Sequence, residues 1–226
     1  EYWVISALTK GENGEFLLRL IKKDGKNIRI TNAIDAQTIY NELLSFPFVV
    51  SKFDVKEGKR NPLPPFKTST LQQEAARRLG FSPQRTMRIA QSLYEGVDLP
   101  GQGSVGLITY MRTDSLRLAP ESIAMARKFI EENYGKKFLP EKPHQYVSKE
   151  RSQDAHEAIR PTDVRLVPDE ISQHLTKDQK ALYELIWKRF LASQMVPAIV
   201  ARTNVEVKSG PYTLKKSGVT LIFEGR

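Results

Sequence analysis

The hydrophobic pattern of this sequence changes its period twice, and that change restricts the fold more than any other feature. Residues 2–56 carry mostly strand-like apolar runs, interrupted by one helical stretch at residues 36–46. From Thr68 the apolar positions recur at helical spacing, and after Pro197 strand-like alternation returns. The order predicts an α+β multidomain protein. Both ends of the chain form a strand-rich domain, and an all-α domain is inserted between them.

Prolines mark the boundaries of the predicted insertion. The stretch NPLPPF, residues 61–66, contains three prolines and is typical of a stiff, extended connector. We therefore predict a strand-rich part over residues 1–64, a helical domain over residues 65–197 and a second strand-rich part over residues 198–226. The last part stops soon after a strand-like run, so we expect it to be incomplete, as in a piece of a longer protein.

The first two helices of the insertion are predicted to follow one another with only a short turn between them. Their letters are TSTLQQEAARRLG and FSPQRTMRIAQSLYEG. Thr70 and Gln73 have the spacing of a capping box, and Ser82 before a proline is typical of a helix start. The pair predicts a helix-turn-helix-like (CAP-like) element. Such an element can also be a non-catalytic DNA-binding module, with Arg85 and Arg88 reading a groove.

The charge of the chain favours a polyanionic partner. It has 35 Lys+Arg against 26 Asp+Glu, a formal net charge of +9. Nucleic acid is the first choice of partner and an anionic membrane surface the second. The basic residues are not gathered on one amphipathic helix, and no stretch approaches the roughly 18 apolar residues of a membrane span. The absence of cysteine excludes disulfides and thiolate metal sites in this chain.

The decapeptide GLITYMRTDS, residues 106–115, is the first candidate site. It begins like a buried strand and then turns polar, and Tyr110 and Arg112 alternate, so in an extended chain they face the same way. A phenol has a pKa of about 10 and is a poor nucleophile without help. A guanidinium matches two phosphate oxygens and stabilises the charge that builds up when a phosphodiester is attacked. The pair suits tyrosyl transesterification of nucleic acid. On composition alone, a surface cation–π pair on an edge strand remains the simpler interpretation.

The segment DAHEAIRPT, residues 154–162, is the second candidate. His156 and Arg160 are four residues apart and share a face on a helical turn. A histidine can donate a hydrogen bond or a proton near a phosphate, although an ordinary histidine at a helix end fits the same pattern. His156 and Glu157 lack a second histidine at ligand spacing, so we predict no metal site in this chain. Neither a P-loop nor a G-x-G-x-x-G motif occurs, so no nucleotide triphosphate is expected.

Three motifs together carry a family resemblance: PPFKTSTLQQEAARRLGFS, GLITYMRTDS and SQDAHEAIRPTDV. In this order and spacing the chain resembles the type IA DNA topoisomerases of bacteria over essentially its whole length. The resemblance implies that Tyr110 forms a transient 5′-phosphotyrosyl bond, that Arg112 steadies the scissile phosphate, and that His156 assists at the same phosphate. The resemblance also implies that Thr113, Asp114 and Arg160 bind DNA, and that these residues and Glu157 support the tyrosine loop and the DNA groove.

The resemblance also implies what this chain lacks. In the family, Mg²⁺ is bound by an acidic TOPRIM domain that precedes this region, and no D-x-D motif of that kind occurs here. The chain then corresponds to the arch, the family's second and third domains. The resemblance implies that the parent enzyme relaxes negatively supercoiled DNA without ATP. Its implied partners are a single-stranded DNA segment and the TOPRIM and base domains, with no membrane. The implied location is the cytoplasm, at the bacterial nucleoid. We expect no cofactor in this chain and no activity from it alone.

A tyrosine recombinase or type IB topoisomerase is a further alternative, because these enzymes also use tyrosine, arginine and histidine. They place the tyrosine after the other two. Here Tyr110 precedes His156, which argues against that alternative.

Overall fold

A computed structural model describes residues 1–11, 14–146 and 156–225. In this part of the chain two compact units are present. One unit comprises Glu1–Arg60 together with Ile199–Glu224, and the other comprises Asn61–Ala198 with Gly225. Each unit has a hydrophobic core of its own.

Strands predominate towards the two ends of the described chain, and helices predominate in its middle. The strands are β1 Ser6–Gly11, β2 Gly14–Lys23, β3 Lys26–Asn27, β4 Val49–Arg60, β5 Val97–Leu99, β6 Gly103–Val105, β7 Ala198–Ser209 and β8 Tyr212–Phe223. The helices are α1 Ala33–Ser45, α2 Thr68–Leu79, α3 Pro83–Glu95, α4 Pro120–Tyr134 and α5 Lys177–Ser193. Short 3-10 turns occur at Lys136–Phe138 and Ser172–His174.

The strand-rich unit is built on one sheet, which has the strand order β1-β2-β8-β7-β4 in the described residues, with β3 paired to β2. Strands β1 and β2 pair antiparallel, from Ser6 opposite Arg19 to Gly11 opposite Gly14. Strand β8 pairs antiparallel with both β2 and β7. The sheet and α1 both contribute to the core of this unit. Its buried apolar residues include Leu18, Leu20, Ile39, Leu43, Val207 and Leu214.

The middle unit is mainly helical and has a larger core. Buried side chains from α2, α3, α4 and α5 form one cluster, which includes Leu71, Leu93, Ile130, Ile186 and Phe190. Within this unit β5 and β6 form an antiparallel hairpin, so the prediction of an all-α domain is not confirmed. Gly80, with φ of 66°, ends α2, and α3 begins three residues later. A helix-turn-helix geometry for α2 and α3 stays a prediction.

The helix starts show which local predictions were correct. The Ser82 side chain accepts a hydrogen bond from the Arg85 N–H at 3.2 Å, as a helix cap does. The capping box expected between Thr70 and Gln73 is wrong, because α2 begins at Thr68, before Thr70. The Thr70 hydroxyl instead accepts from the Lys67 N–H at 3.1 Å. Thr68, the first residue of α2, forms hydrogen bonds to the decapeptide. A short stretch of sequence around Thr68 gives no sign of these bonds.

Candidate active site

The decapeptide does not continue a strand, which corrects the expectation for its first three residues. Leu107 and Ile108 are buried, but Ile108 forms only an isolated bridge, opposite Pro161. Around that bridge the Thr109 N–H donates to the Arg160 carbonyl at 2.9 Å, and the Thr162 N–H donates to the Leu107 carbonyl at 3.0 Å. Proline has no N–H to extend such a ladder. The decapeptide is therefore fixed against an irregular segment rather than a sheet.

Hydrogen bonds from α2 hold the second half of the decapeptide. The Thr68 hydroxyl donates to the Met111 carbonyl at 2.8 Å and accepts from the Thr113 N–H at 2.9 Å. The Thr68 N–H also donates to the Thr113 carbonyl at 2.9 Å. Met111 is completely buried, Tyr110 is half-buried and packs against the edge of the core, and Arg112 is exposed. That Tyr110 and Arg112 face the same way stays a prediction.

The Tyr110 ring is half-buried and contacts two other aromatic rings. Its centroid is 5.2 Å from that of His156, with the two planes tilted by 38°. On α3, Tyr94 meets Tyr110 edge-on at 5.4 Å. Tyr110 and His156, two of the predicted site residues, are therefore brought together. The contribution of Tyr94 was missed, because an aromatic residue near a helix end carries no sequence signal for such a contact.

Arg112 is exposed and lines a shallow cavity of about 750 Å³. The other side of this cavity is a face of α3. Its lining residues there are Gln84, Met87, Arg88, Gln91, Ser92 and Glu95. A guanidinium in an open, polar cleft is accessible to an anion as large as a nucleic-acid phosphate.

Thr113 and Asp114 occupy different environments. Thr113 is buried, and its hydroxyl accepts a hydrogen bond from the Ser115 N–H at 3.0 Å, so it holds the turn after the tyrosine. Asp114 is exposed, and its Oδ1 lies 4.0 Å from the Lys67 Nζ. A DNA-binding role for either residue stays a prediction.

Residues 156–160 do not form the helical turn expected from the spacing of His156 and Arg160. The Ala158 N–H donates to the Arg117 carbonyl at 2.8 Å, and the Ile159 N–H donates to the Phe66 carbonyl at 2.8 Å. These amides bond to distant parts of the chain instead of to the preceding turn. The segment is therefore extended, and the four-residue spacing does not define a shared helical face.

The Arg160 side chain is occupied by contacts within the protein. Its Nε lies 2.7 Å from Glu157 Oε2, its Nη1 donates to the Pro161 carbonyl at 3.0 Å, and only 13% of the side chain is exposed. Glu157 Oε2 also accepts from the Ala119 N–H at 3.2 Å. Burial by itself raises the pKa of Glu157, but the hydrogen bonds from Arg160 and Ala119 and the nearby positive charges outweigh it, so the pKa lies below its usual value.

The described residues offer neither a metal cluster nor a membrane-spanning helix. Residues 1–11, 14–146 and 156–225 contain no group of three His, Cys, Asp or Glu side chains that could hold a metal ion. None of the helices in these ranges combines the length and apolar character needed to cross a membrane.

Comparison with known proteins identifies the family to which the chain belongs. A family model described as DNA topoisomerase matches residues 1–225, and the chain belongs to this family. The resemblance seen in the three motifs is thereby confirmed.

Individual relatives are bacterial and considerably longer than this chain. It is 47% identical to DNA topoisomerase 1 of Rickettsia felis and 43% identical to that of Xylella fastidiosa, covering 100% of its own length but 30% and 29% of theirs. Among solved structures, full-length topoisomerase I from Thermotoga maritima matches with a TM-score of 0.78 at 36% identity, over 100% of this chain and 35% of that one.

Proposed function

We propose that this chain is part of a type IA DNA topoisomerase and carries its nucleophile. The parent enzyme relaxes negatively supercoiled DNA without ATP, by cleaving one strand, passing another and resealing the break, in the cytoplasm at the bacterial nucleoid. Its partners are a single-stranded DNA segment and the TOPRIM and base domains. The observation that supports this most is the contact between Tyr110 and His156, rings 5.2 Å apart, beside the exposed Arg112.

The proposed step is an exchange of one phosphoester for another. The Tyr110 oxygen attacks phosphorus, the bond to the deoxyribose 3′ oxygen breaks, and a 5′-phosphotyrosyl bond forms. Tyr110 loses its phenolic proton, and the departing 3′ oxygen gains one. Arg112 neutralises charge on the non-bridging oxygens, and His156 donates a hydrogen bond beside them. Because the bonds exchanged are similar in kind, the reverse step reseals the strand without ATP.

The chain supplies only part of what this step needs. A 3′ alkoxide is a poorer leaving group than a phenolate, so the step requires an acid or a metal at that oxygen. Glu157, the carboxylate nearest in sequence to His156, is held by Arg160 and has a lowered pKa, which makes it a poor proton donor. Among residues 1–11, 14–146 and 156–225 there is no group of three side chains that could hold a metal ion, and we place the Mg²⁺ site of the parent enzyme in the TOPRIM domain.

We therefore expect the isolated chain to leave DNA uncut. Purified residues 1–226, incubated with supercoiled plasmid and Mg²⁺, should show neither nicking nor relaxation on an agarose gel. Nicking or relaxation that persists after further purification would contradict this expectation.

Replacement of Tyr110 by phenylalanine tests the nucleophile. In the full-length topoisomerase, Tyr110→Phe removes the attacking oxygen and keeps the ring that packs against His156, so the covalent protein–DNA adduct trapped by denaturant should disappear. Tyr94→Phe is the matched control, since it removes the other phenol of the same cluster, and its adduct should persist. An adduct that survives in Tyr110→Phe overturns the assignment.

The supporting roles are tested by Arg112→Ala and His156→Ala. Each removes one preset donor while the fold remains, because both side chains are exposed. Cleavage should slow by about 10²–10³-fold for each, the range found for a single preorganised donor. Single-turnover cleavage of a single-stranded oligonucleotide measures the effect. Cleavage rates within a few-fold of wild type would show that other residues stabilise the charge on the phosphate.

A further inference from the structure

One face of α3 is aligned with the candidate site. Gln84, Arg88 and Gln91 are spaced four and three residues apart, so they follow one stripe of the helix, and all three line the cavity that Arg112 lines. We call these three residues the α3 stripe. Near its C-terminal end, α3 also carries Tyr94, whose ring contacts Tyr110. The stripe therefore leads along the helix towards the proposed nucleophile.

Two guanidinium groups share this cavity. Within the described part of the chain, neither Arg88 nor Arg112 forms a hydrogen bond or ion pair through its side chain. Glu95 is the acidic residue in the cavity lining, and its Oε1 accepts a hydrogen bond from Gln91 Nε2 at 2.6 Å. Two like charges at one surface repel each other, and a polyanion that contacts both removes this repulsion.

Arg85, one turn earlier on the same helix, differs from Arg88. Its Nη2 lies 2.7 Å from Asp178 Oδ2 on α5, and its guanidinium lies 4.4 Å from the centre of the Phe81 ring. Arg85 thus links α3 to the rest of the helical unit. If α3 were a groove-reading helix with both arginines on the bases, Arg85 would have to give up these contacts. Arg88 therefore remains available to an external anion, whereas Arg85 is engaged in contacts within the helical unit.

We propose that Arg88 binds a backbone phosphate of the DNA strand that Tyr110 attacks, a neighbour of the phosphate held by Arg112. Gln84 and Gln91 donate amide hydrogen bonds along the same strand. Such contacts fix the position of a strand without reading its sequence. This inference rests on the proposed function, because it uses the strand that Arg112 and Tyr110 are proposed to hold.

The dimensions of the stripe agree with this role. From residue 84 to residue 91 the helix advances roughly 10 Å at about 1.5 Å per residue. Phosphates of one strand follow each other every 3.4 Å or so along a duplex axis, and farther apart in a stretched single strand. The stripe is therefore long enough for more than one phosphate. Glu95 lies beyond it and repels phosphate, so the backbone is expected to leave the helix before that residue.

The test uses the full-length topoisomerase carrying Tyr110→Phe, so that binding is measured without cleavage. Affinity for a single-stranded oligonucleotide is determined from low to high salt, with Arg88→Ala compared with Arg85→Ala as the matched control. Loss of one phosphate contact should make the slope of log affinity against log salt less steep by about 0.7. Binding at low salt should weaken about 10-fold. Arg85→Ala should leave the slope unchanged.

The remaining outcomes are also decisive. Arg88→Lys keeps the charge and should restore most of the slope, and Arg88→Gln, which removes the charge, replaces Arg88→Ala if that variant does not fold. An unchanged slope in Arg88→Ala, or an equal loss in Arg85→Ala, overturns the proposal. A loss confined to particular oligonucleotide sequences also overturns it, because that result indicates base reading. The adduct assay on Tyr110 is independent of these measurements, so failure of this inference is distinguishable from failure of the proposed function.

Discussion

At the scale of single residues, Glu157 shows how the chain fixes its candidate site. Its carboxylate receives hydrogen bonds from Arg160 on one side and from the Ala119 N–H, at the start of α4, on the other. It immediately follows His156 in the chain. One carboxylate therefore connects the histidine segment to α4. We expect this pair to hold the segment that carries His156, while DNA binding by Arg160 stays a prediction.

The lowered pKa of Glu157 makes its contribution depend on pH. A carboxyl whose pKa is lower in the folded state stabilises the fold above its usual pKa, and this stabilisation is lost as pH falls through the folded-state value. Glu157→Gln should reduce the free energy of unfolding by about 1–3 kcal/mol at pH 7. The difference from wild type should shrink in acid. Urea unfolding at several pH values measures the difference in the free energy of unfolding. Glu141→Gln, at an exposed position, is the control. A difference between Glu157→Gln and wild type that stays constant with pH would argue against the ion pair.

At the scale of elements, local signals were sufficient where the structure is local. The start of α3 at Ser82 followed from its capping residue, and this cap forms as predicted. The decapeptide was different. Its Leu107 and Ile108 resemble a strand because they are apolar and buried, but the backbone of Leu107 bonds to Leu93 and Thr162, and Ile108 forms a bridge with Pro161. A short stretch of sequence cannot reveal contacts between residues so far apart in the chain. The motifs therefore indicated the residues of the site but not their arrangement.

The junction between α3 and the decapeptide depends on a glycine. A Cβ added at Gly106 would lie 2.7 Å from the Tyr94 carbonyl oxygen, a backbone atom that cannot easily move. The Leu107 N–H also donates to the Leu93 carbonyl at 2.7 Å. Gly106→Ala should therefore push the decapeptide away from α3, costing about 1–3 kcal/mol of stability.

Gly106→Ala should also slow DNA cleavage in the full-length protein, because Tyr110 is carried by the displaced segment. Thermal unfolding and single-turnover cleavage measure the two effects. Gly218→Ala in β8 is the control, since nothing lies within 4 Å of its added Cβ. Equal stability and cleavage in wild type and Gly106→Ala would show that the junction can open to admit a methyl group at no cost.

At the scale of the whole molecule, the two units bury separate sets of side chains. One cluster of buried residues, which extends in sequence from Phe66 to Met195, lies entirely within the middle unit. The cluster that contains Leu18 and Leu214 lies entirely within the strand-rich unit. A unit with its own core has the main requirement for folding independently. The proposed nucleophile, its flanking rings and the α3 stripe all belong to the middle unit.

Residues 61–198 should therefore fold when produced alone. The fragment is expected to show the circular dichroism of a mainly helical protein and one cooperative unfolding transition in urea, as single domains of this size do. Because the described buried residues of this core all lie between Phe66 and Met195, the urea midpoint of the fragment should lie close to the midpoint of the helical signal in residues 1–226. A fragment that lacks helical signal, or unfolds without cooperativity, would contradict this prediction. It would show that the middle unit needs the strand-rich unit for its stability, although each unit has its own core.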